Sequence, residues 1–172
     1  MKILIACEYS GIVRDAFKAK GHNVYSCDLL PTERPGKHYQ GDVKDILIGN
    51  EWDMMIAHPE CTYLCSSGLH WNKRIEGRAE KTEEALKFIT ALWQSGIPRI
   101  CLENPVGCIN TRLDFMPKPQ YIQPYQFGID ASKKTGLWLK KLKPLKHTKL
   151  IEGRKVKKNG KIYQRWSNQT DS

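Results

Sequence analysis

Asp53-Met54-Met55-Ile56-Ala57 runs straight into His58-Pro59-Glu60-Cys61-Thr62-Tyr63-Leu64, and Arg99-Ile100-Cys101-Leu102 runs into Glu103-Asn104-Pro105. Both apolar runs are short and bounded by polar or turn-forming residues, the pattern of a strand buried on both faces. In an open α/β sheet, ligands and chemistry collect outside the carboxyl ends of the strands. One such end offers a thiol behind a proline and the other a carboxylate. A carboxylate there is costly to bury alone, so Glu103 implies a ligand, a partner cation or a perturbed pKa.

Working outward, Lys2–Ala6 reads as a first strand and Ile12, Val13, Ala16 and Phe17 recur at helical spacing. Ser10 is placed to cap that helix and Gly21 to stop it. Val24–Cys27 forms a second strand ending at Asp28. A proline-rich loop follows, then a third strand or turn over Tyr39–Val43, centred on Gly41-Asp42. Asp53–Ala57 is the fourth strand and Ile100–Leu102 the fifth. Between them Glu80–Gln94 has the clearest amphipathic pattern, with Ala85, Leu86, Ile89, Leu92 and Trp93 on one face and a Glu83–Lys87 pair on the other. Residues 62–78 show no clean period and suit a loop over the site, and the stretch from Pro105 to Pro119 reads as irregular. Tyr121–Phe127 and Leu137–Leu142 form a late hairpin, and Asn159-Gly160 is the turn of another. Strands alternating with helices, then a hairpin, predict one Rossmann-like, mostly parallel α/β sheet with late antiparallel strands. Residues 1–143 make that domain and residues 144–172 a basic C-terminal extension.

With 172 residues, 40% hydrophobic and 27% charged, the chain has the composition of a soluble globular protein. No apolar run reaches the length of a membrane span, and the N-terminal apolar run is too short for a secretory signal. The expected location is cytoplasmic, in the host cell if the protein is phage-encoded. The six cysteines show no disulfide framework. His58, Cys61, Cys65 and His70 lack a CxxC pair, so no metal is assigned. The oligomeric state stays open, a homodimer included.

Charge is distributed very unevenly. Residues 133–172 hold 13 lysines and arginines against 2 acids, whereas residues 1–132 are close to neutral. Lys133, Lys134, Lys155, Lys157 and Lys158 are the candidate contacts to a nucleic acid or nucleotide, with Trp138, Tyr163 and Trp166 interleaved.

Four acidic or nucleophilic positions carry the chemistry. Cys7-Glu8-Tyr9-Ser10-Gly11 leads from a strand into a helix N-terminus, where backbone N–H groups favour an anionic ligand group. Asp28 ends the second strand, where an acid accepts hydrogen bonds from ribose hydroxyls. Asp42 follows the third, within reach of an adenine amino group. Cys61 needs a lowered pKa to act as a nucleophile, and Glu60 directly before it opposes that.

Cys7–Gly11, Asp28, Gly41-Asp42, His58–Leu64, Leu102–Gly107, Gln123–Gly128 and Lys133–Leu139 together resemble the short phage and prophage proteins described as DNA cytosine methyltransferase-like. More distantly they resemble the cytosine-5 DNA methyltransferases, which use S-adenosylmethionine. The resemblance implies a methyltransferase-type fold. It implies cofactor contacts from Glu8, Ser10, Gly11, Asp28, Asp42 and Pro59, with Pro59 and Cys61 on a Pro-Cys loop and Glu103-Asn104 on a Glu-Asn motif in which Asn104 contacts the nucleic acid or nucleotide. The implied reaction adds the Cys61 thiolate to C6 of cytosine, in DNA or a nucleotide, while Glu103 hydrogen-bonds N3. A target inside a duplex has to be flipped out of the stack. The competing expectation is a protein that holds a nucleotide or nucleotide-derived signal in the same pocket without turning it over, as a phage inhibitor or sponge would.

Overall fold

The computed structural model describes residues 1–49 and 51–170. Its centre is a seven-stranded sheet of order β3-β2-β1-β4-β5-β7-β6. The strands are β1 (Lys2–Ala6), β2 (Asn23–Asp28), β3 (His38–Gln40), β4 (Met54–Ala57), β5 (Ile100–Pro105), β6 (Gln120–Ile122) and β7 (Thr135–Lys140). The first five pair in parallel, and β7 enters antiparallel between β5 and β6. This is the methyltransferase-type arrangement of a Rossmann-like sheet. A separate antiparallel ribbon, β8 (Arg154–Lys158) with β9 (Lys161–Arg165), stands outside it.

The apolar runs form strands because both faces of the sheet are covered. Ile3 and Ile5 face α1 (Ile12–Lys18), packing with Val24, Met54 and Ile56 against Val13 and Phe17. Leu4 and Ala6 face the other way and join Met55, Ala57 and Ile100 beneath Leu92 of α4 (Arg78–Trp93). The short helix α2 (Lys44–Leu47) covers the same face through Ile46 and Leu47. A further cluster, Leu64, Leu86, Ile89, Leu102, Cys108, Ile109, Met116 and Trp138, closes the β5–β7 end of the sheet.

Several local expectations change once packing is included. Helix α1 begins at Ile12, with Gly11 at its N-cap in the left-handed region (φ 73°). Ser10 does not cap it: its hydroxyl donates to Glu8 at 2.5 Å and accepts the Ile12 N–H at 3.2 Å. Glu83 pairs with Arg112 instead of Lys87, because α5 (Ile109–Arg112) packs beside α4. The stretch after Pro105 is therefore partly helical, and its Cys108, Ile109 and Met116 are core residues. Residues 62–78 are also built into the fold, as α3 (Ser66–Leu69) followed by a 3-10 turn over His70–Lys73. The Thr82 hydroxyl, fully buried in α4, donates to the Tyr63 carbonyl at 3.0 Å and receives the Asn72 amide at 2.8 Å, which fastens that segment down. Strand β5 extends through Glu103, Asn104 and Pro105, because β7 continues the ladder opposite them.

No helix among the described residues is long and apolar enough to cross a membrane.

Candidate active site

The last fully paired row across the central strands is Cys27–Ala6–Ala57–Leu102. One residue further along each strand places Asp28, Cys7, His58 and Glu103 side by side at the carboxyl ends of β2, β1, β4 and β5. The His58 and Glu103 side chains meet there, with Nδ1 donating to the carboxylate at 3.3 Å. His58 is thus the partner that the position of Glu103 demanded. His58 was not singled out for this role because 45 residues separate the two.

Beside this row lies a cavity of about 820 Å³, within the usual range for a small-molecule site. Its walls come from Cys7, the Asp28–Leu30 turn, Gly41–Lys44, His58–Glu60 and the α4 residues Lys81, Glu84 and Phe88, among others. Asp28, Asp42 and Pro59 therefore share one cavity. Glu8, Ser10 and Gly11 are not among its walls, and Cys7 supplies the β1 end instead. Cys7 turns the chain there in the left-handed region (φ 57°), an uncommon conformation for a residue with a side chain. Burial, with Asp28 beside it, pushes the Cys7 thiol up to about 12. Burial and the same acid push the Cys27 thiol up to about 12.

Both cavity acids are held by their own loops. The Asp28 carboxylate accepts the Leu30 N–H at 3.0 Å, and Asp42 accepts the Lys44 N–H at 3.0 Å at the start of α2. The Gly41 N–H donates to the Asp28 carbonyl at 2.9 Å, tying the two acid-bearing turns together. Behind them Arg14, 1% exposed, donates to Ser26 Oγ and Thr32 Oγ1, both at 3.2 Å, and to the Arg34 and Pro35 carbonyls at 3.0 and 3.3 Å. This buried guanidinium holds the loop that follows Asp28. Helical spacing in α1 gave no sign of it, since Arg14 reads there as a surface residue.

The loop carrying Cys61 is anchored on β5. Asn104 is fully buried and donates its amide to the Pro59 carbonyl at 2.9 Å. Farther along, the Ser66 N–H donates to Val106 and the Cys108 N–H to Leu64, each at 2.9 Å. Gly107 is needed at that crossing because a Cβ there would lie 2.0 Å from the Leu64 carbonyl oxygen. The structure thus places Asn104 inside the fold as a support for the loop.

Cys61 itself is half-buried. Burial raises its pKa first and Cys65 raises it further, while Lys133 lowers it and Glu103 raises it. The carboxylate of the sequence neighbour Glu60 accepts the Thr62 hydroxyl at 2.7 Å in an exposed contact. Lys133 and Glu103 thus act on the Cys61 thiol electrostatically and in opposite directions.

Three buried polar atoms at these strand ends have no partner: Glu8 Oε2, His58 Nε2 and Asn104 Oδ1. Of the three residues, His58 also lines the cavity. Among the described residues, no group of three or more His, Cys, Asp or Glu side chains is placed to hold a metal ion.

Lys134 lies over the Tyr121 ring at 4.5 Å, whereas Lys155, Lys157 and Lys158 lie on β8, outside the central sheet.

No protein-family profile matches the chain, and no curated protein does. Solved structures similar to it include a prophage-encoded Escherichia coli protein described as a DNA modification methyltransferase, at 12% identity and TM-score 0.49, covering 81% of this chain and 46% of that one. Another is the 16S rRNA methylase RmtB, at 11% identity and TM-score 0.42, covering 82% and 56%. A third is an rRNA methylase from Escherichia coli, at 14% identity and TM-score 0.43, covering 82% and 57%. The chain spans about half the length of these structures.

Proposed function

We propose that this protein is an S-adenosylmethionine-dependent methyltransferase acting on cytosine in DNA or a nucleotide, with Cys61 as nucleophile and Glu103 as its acid partner. The observation that carries the reading is the shared cavity. Two strand-end acids suited to a nucleoside, Asp28 and Asp42, line it together with Pro59 and Glu60, the residues just before Cys61.

The residues present fit the cofactor. Asp28 and Asp42 stand at successive strand ends as ribose and adenine partners, and Leu29, Leu30 and Phe88 supply an apolar wall. Four carboxylates, Asp28, Asp42, Glu60 and Glu84, face two amines, Lys44 and Lys81, a balance suited to a sulfonium cation. When bound, the cofactor supplies an electrophilic methyl group.

The chain's own groups do the rest. Asn104 fixes Pro59, and with it the start of the loop that presents Cys61. Lys133 favours the thiolate over the thiol, against the burial that holds the proton on. The thiolate adds to C6 of the base, which makes C5 nucleophilic, while Glu103, oriented by His58, donates its carboxylic acid proton to N3. Once C5 carries the methyl group, loss of the C5 proton to water and elimination of the Cys61 thiolate from C6 restore the aromatic ring and the free enzyme.

The test is incubation with labelled S-adenosylmethionine and cytosine-containing DNA or deoxycytidine nucleotides, followed by nucleoside analysis. Label is expected at C5 of cytosine. Cys61→Ala is expected to abolish transfer while calorimetric cofactor binding persists. Absence of C5-methylated product from the parent protein refutes the assignment.

A further inference from the structure

The β8–β9 ribbon takes no part in the cavity, and its composition is unlike the rest of the fold. Residues 154–165 carry six cations, Arg154, Lys155, Lys157, Lys158, Lys161 and Arg165, and no acid. The strands pair over five rows, from Arg154 opposite Arg165 to Lys158 opposite Lys161. They are closed by Asn159 and Gly160, both at positive φ (50° and 74°), the two-residue turn that suits the twist of a hairpin.

Strand periodicity assigns each row to a face. Lys155 with Gln164 and Lys157 with Ile162 form one face, and all four side chains are exposed. The other face carries Val156 and Arg165, both half-buried, together with the exposed Arg154, Tyr163, Lys158 and Lys161. At its base Arg154 donates to the Trp166 and Gln169 carbonyls, at 3.0 and 2.6 Å. Trp166 in turn stacks on Tyr125, with ring centroids 4.0 Å apart and planes 10° from parallel. The ribbon is therefore fixed at its base, with one face and the tip wholly in solvent and the other face covered only around Val156 and Arg165. Ile162, 69% exposed among lysines, has no packing role there.

We infer that the β8–β9 ribbon is a duplex-DNA docking element that enters the major groove. It presents Ile162 and Gln164 to base edges and its lysines to the flanking phosphates. A two-stranded ribbon fits the roughly 12 Å width of that groove, and five residues of strand, about 16 Å, exceed its depth of roughly 8.5 Å. Glutamine pairs with the adenine edge and an apolar side chain with the thymine methyl. A-form RNA has a deep, narrow major groove that excludes such an element. The inference makes duplex DNA the substrate of the proposed cytosine site and rests on that reading only for the choice of DNA.

Fluorescence anisotropy with a labelled B-form DNA duplex, titrated between 50 and 200 mM salt, tests the assignment. An RNA duplex of the same sequence and deoxycytidine monophosphate serve as competitors. The DNA duplex is expected to bind at least tenfold more tightly than either. In Lys155→Gln/Lys157→Gln/Lys158→Gln the slope of log K against log salt is expected to become shallower by about 2.7, or about 0.9 for each phosphate left without its lysine. Ile162→Ala/Gln164→Ala is expected to weaken binding with the slope unchanged. Circular dichroism and cofactor calorimetry establish that each variant keeps the parent fold and cavity.

A triple variant that binds with the parent slope overturns the docking assignment. RNA competing as well as DNA overturns groove entry. If the ribbon binds duplex DNA as expected but no cytosine is methylated, the proposed reaction fails and the docking element stands. The reverse outcome, methylation of a free nucleotide without duplex binding, removes the docking element alone.

Discussion

Replacing Arg14 with methionine tests the reasoning about the cavity most directly. The guanidinium is buried and donates to Asp15, Ser26, Thr32, Arg34 and Pro35. Leaving a buried acceptor unsatisfied costs about 1–3 kcal/mol. The Ser26 hydroxyl is fully buried, but the Arg34 and Pro35 carbonyls lie on a loop that can turn to water. The loss in unfolding free energy should therefore be about 1–3 kcal/mol, set by the Ser26 hydroxyl, which keeps only its contact with His38 Nδ1 at 2.9 Å. Urea unfolding measures it. Because the loop carries Leu29 and Leu30 into the cavity, cofactor affinity should fall in the same variant.

A second substitution separates the network from general destabilisation. A Cβ on Gly36 would lie 2.5 Å from Arg14 Cζ. Gly36→Ala in the parent should cost about 1–3 kcal/mol by overpacking. In the Arg14→Met background the obstruction is smaller, so the same change should cost less. The double-mutant cycle should then show at least about 1 kcal/mol of coupling. Additive effects, or an Arg14→Met protein within about 1 kcal/mol of the parent, refute the network as described.

Other outcomes follow from the thiols and the anchored loop. Alkylation of Cys61 by iodoacetamide, followed by peptide mass spectrometry, should be slow at neutral pH and rise about tenfold per unit until pH passes the ordinary thiol value of 9. Lys133→Ala should move that profile further up, and a Cys61 already fully reactive at pH 7 contradicts the burial argument. Cys7 and Cys27 ionise near 12 when folded and near 9 when unfolded, so their stabilisation is complete below pH 9 and is lost between 9 and 12. The urea midpoint should fall over that window, by at most about 1.4 kcal/mol per pH unit for each thiol, and Cys7→Ala should make the fall shallower. Asn104→Ala should cost about 1–3 kcal/mol by releasing the Pro59 carbonyl and lower turnover more than cofactor affinity. An Asn104→Ala enzyme with parent turnover would show that the loop does not depend on this bond. Gly107→Ala should abolish soluble expression, because its Cβ meets backbone at Leu64 that has no room to move.

The sheet was legible because its strands are locally consistent. Lys2–Ala6, Asp53–Ala57 and Ile100–Leu102 are apolar almost throughout, which a strand covered on both faces requires. The positions of Asp28 and Asp42 were legible for a related reason, since Asp28 closes β2, Asp42 lies two residues beyond β3, and the carboxyl ends of parallel strands share one edge. Residues 62–78 and 105–119 were not legible, because four-residue helices carry too few turns to show a period. Their order comes from partners such as Thr82 and Asn110. Asn110 accepts the Trp138 indole N–H at 2.9 Å from 28 residues away.

By itself the sequence determined the strand–helix alternation, the thiol and acid at two neighbouring strand ends, and the concentration of positive charge around an Asn-Gly turn. These depend on residue type and short spacing, which the chain carries wherever it lies. The tertiary structure alone decided that His58 meets Glu103, that Arg14 is buried beneath the cavity loop, and that Lys133 acts electrostatically on Cys61. It also decided where the basic ribbon is partly covered, at Val156 and Arg165. Each of these joins or orients groups far apart in the chain, and only packing of the intervening elements fixes their distance and their exposure.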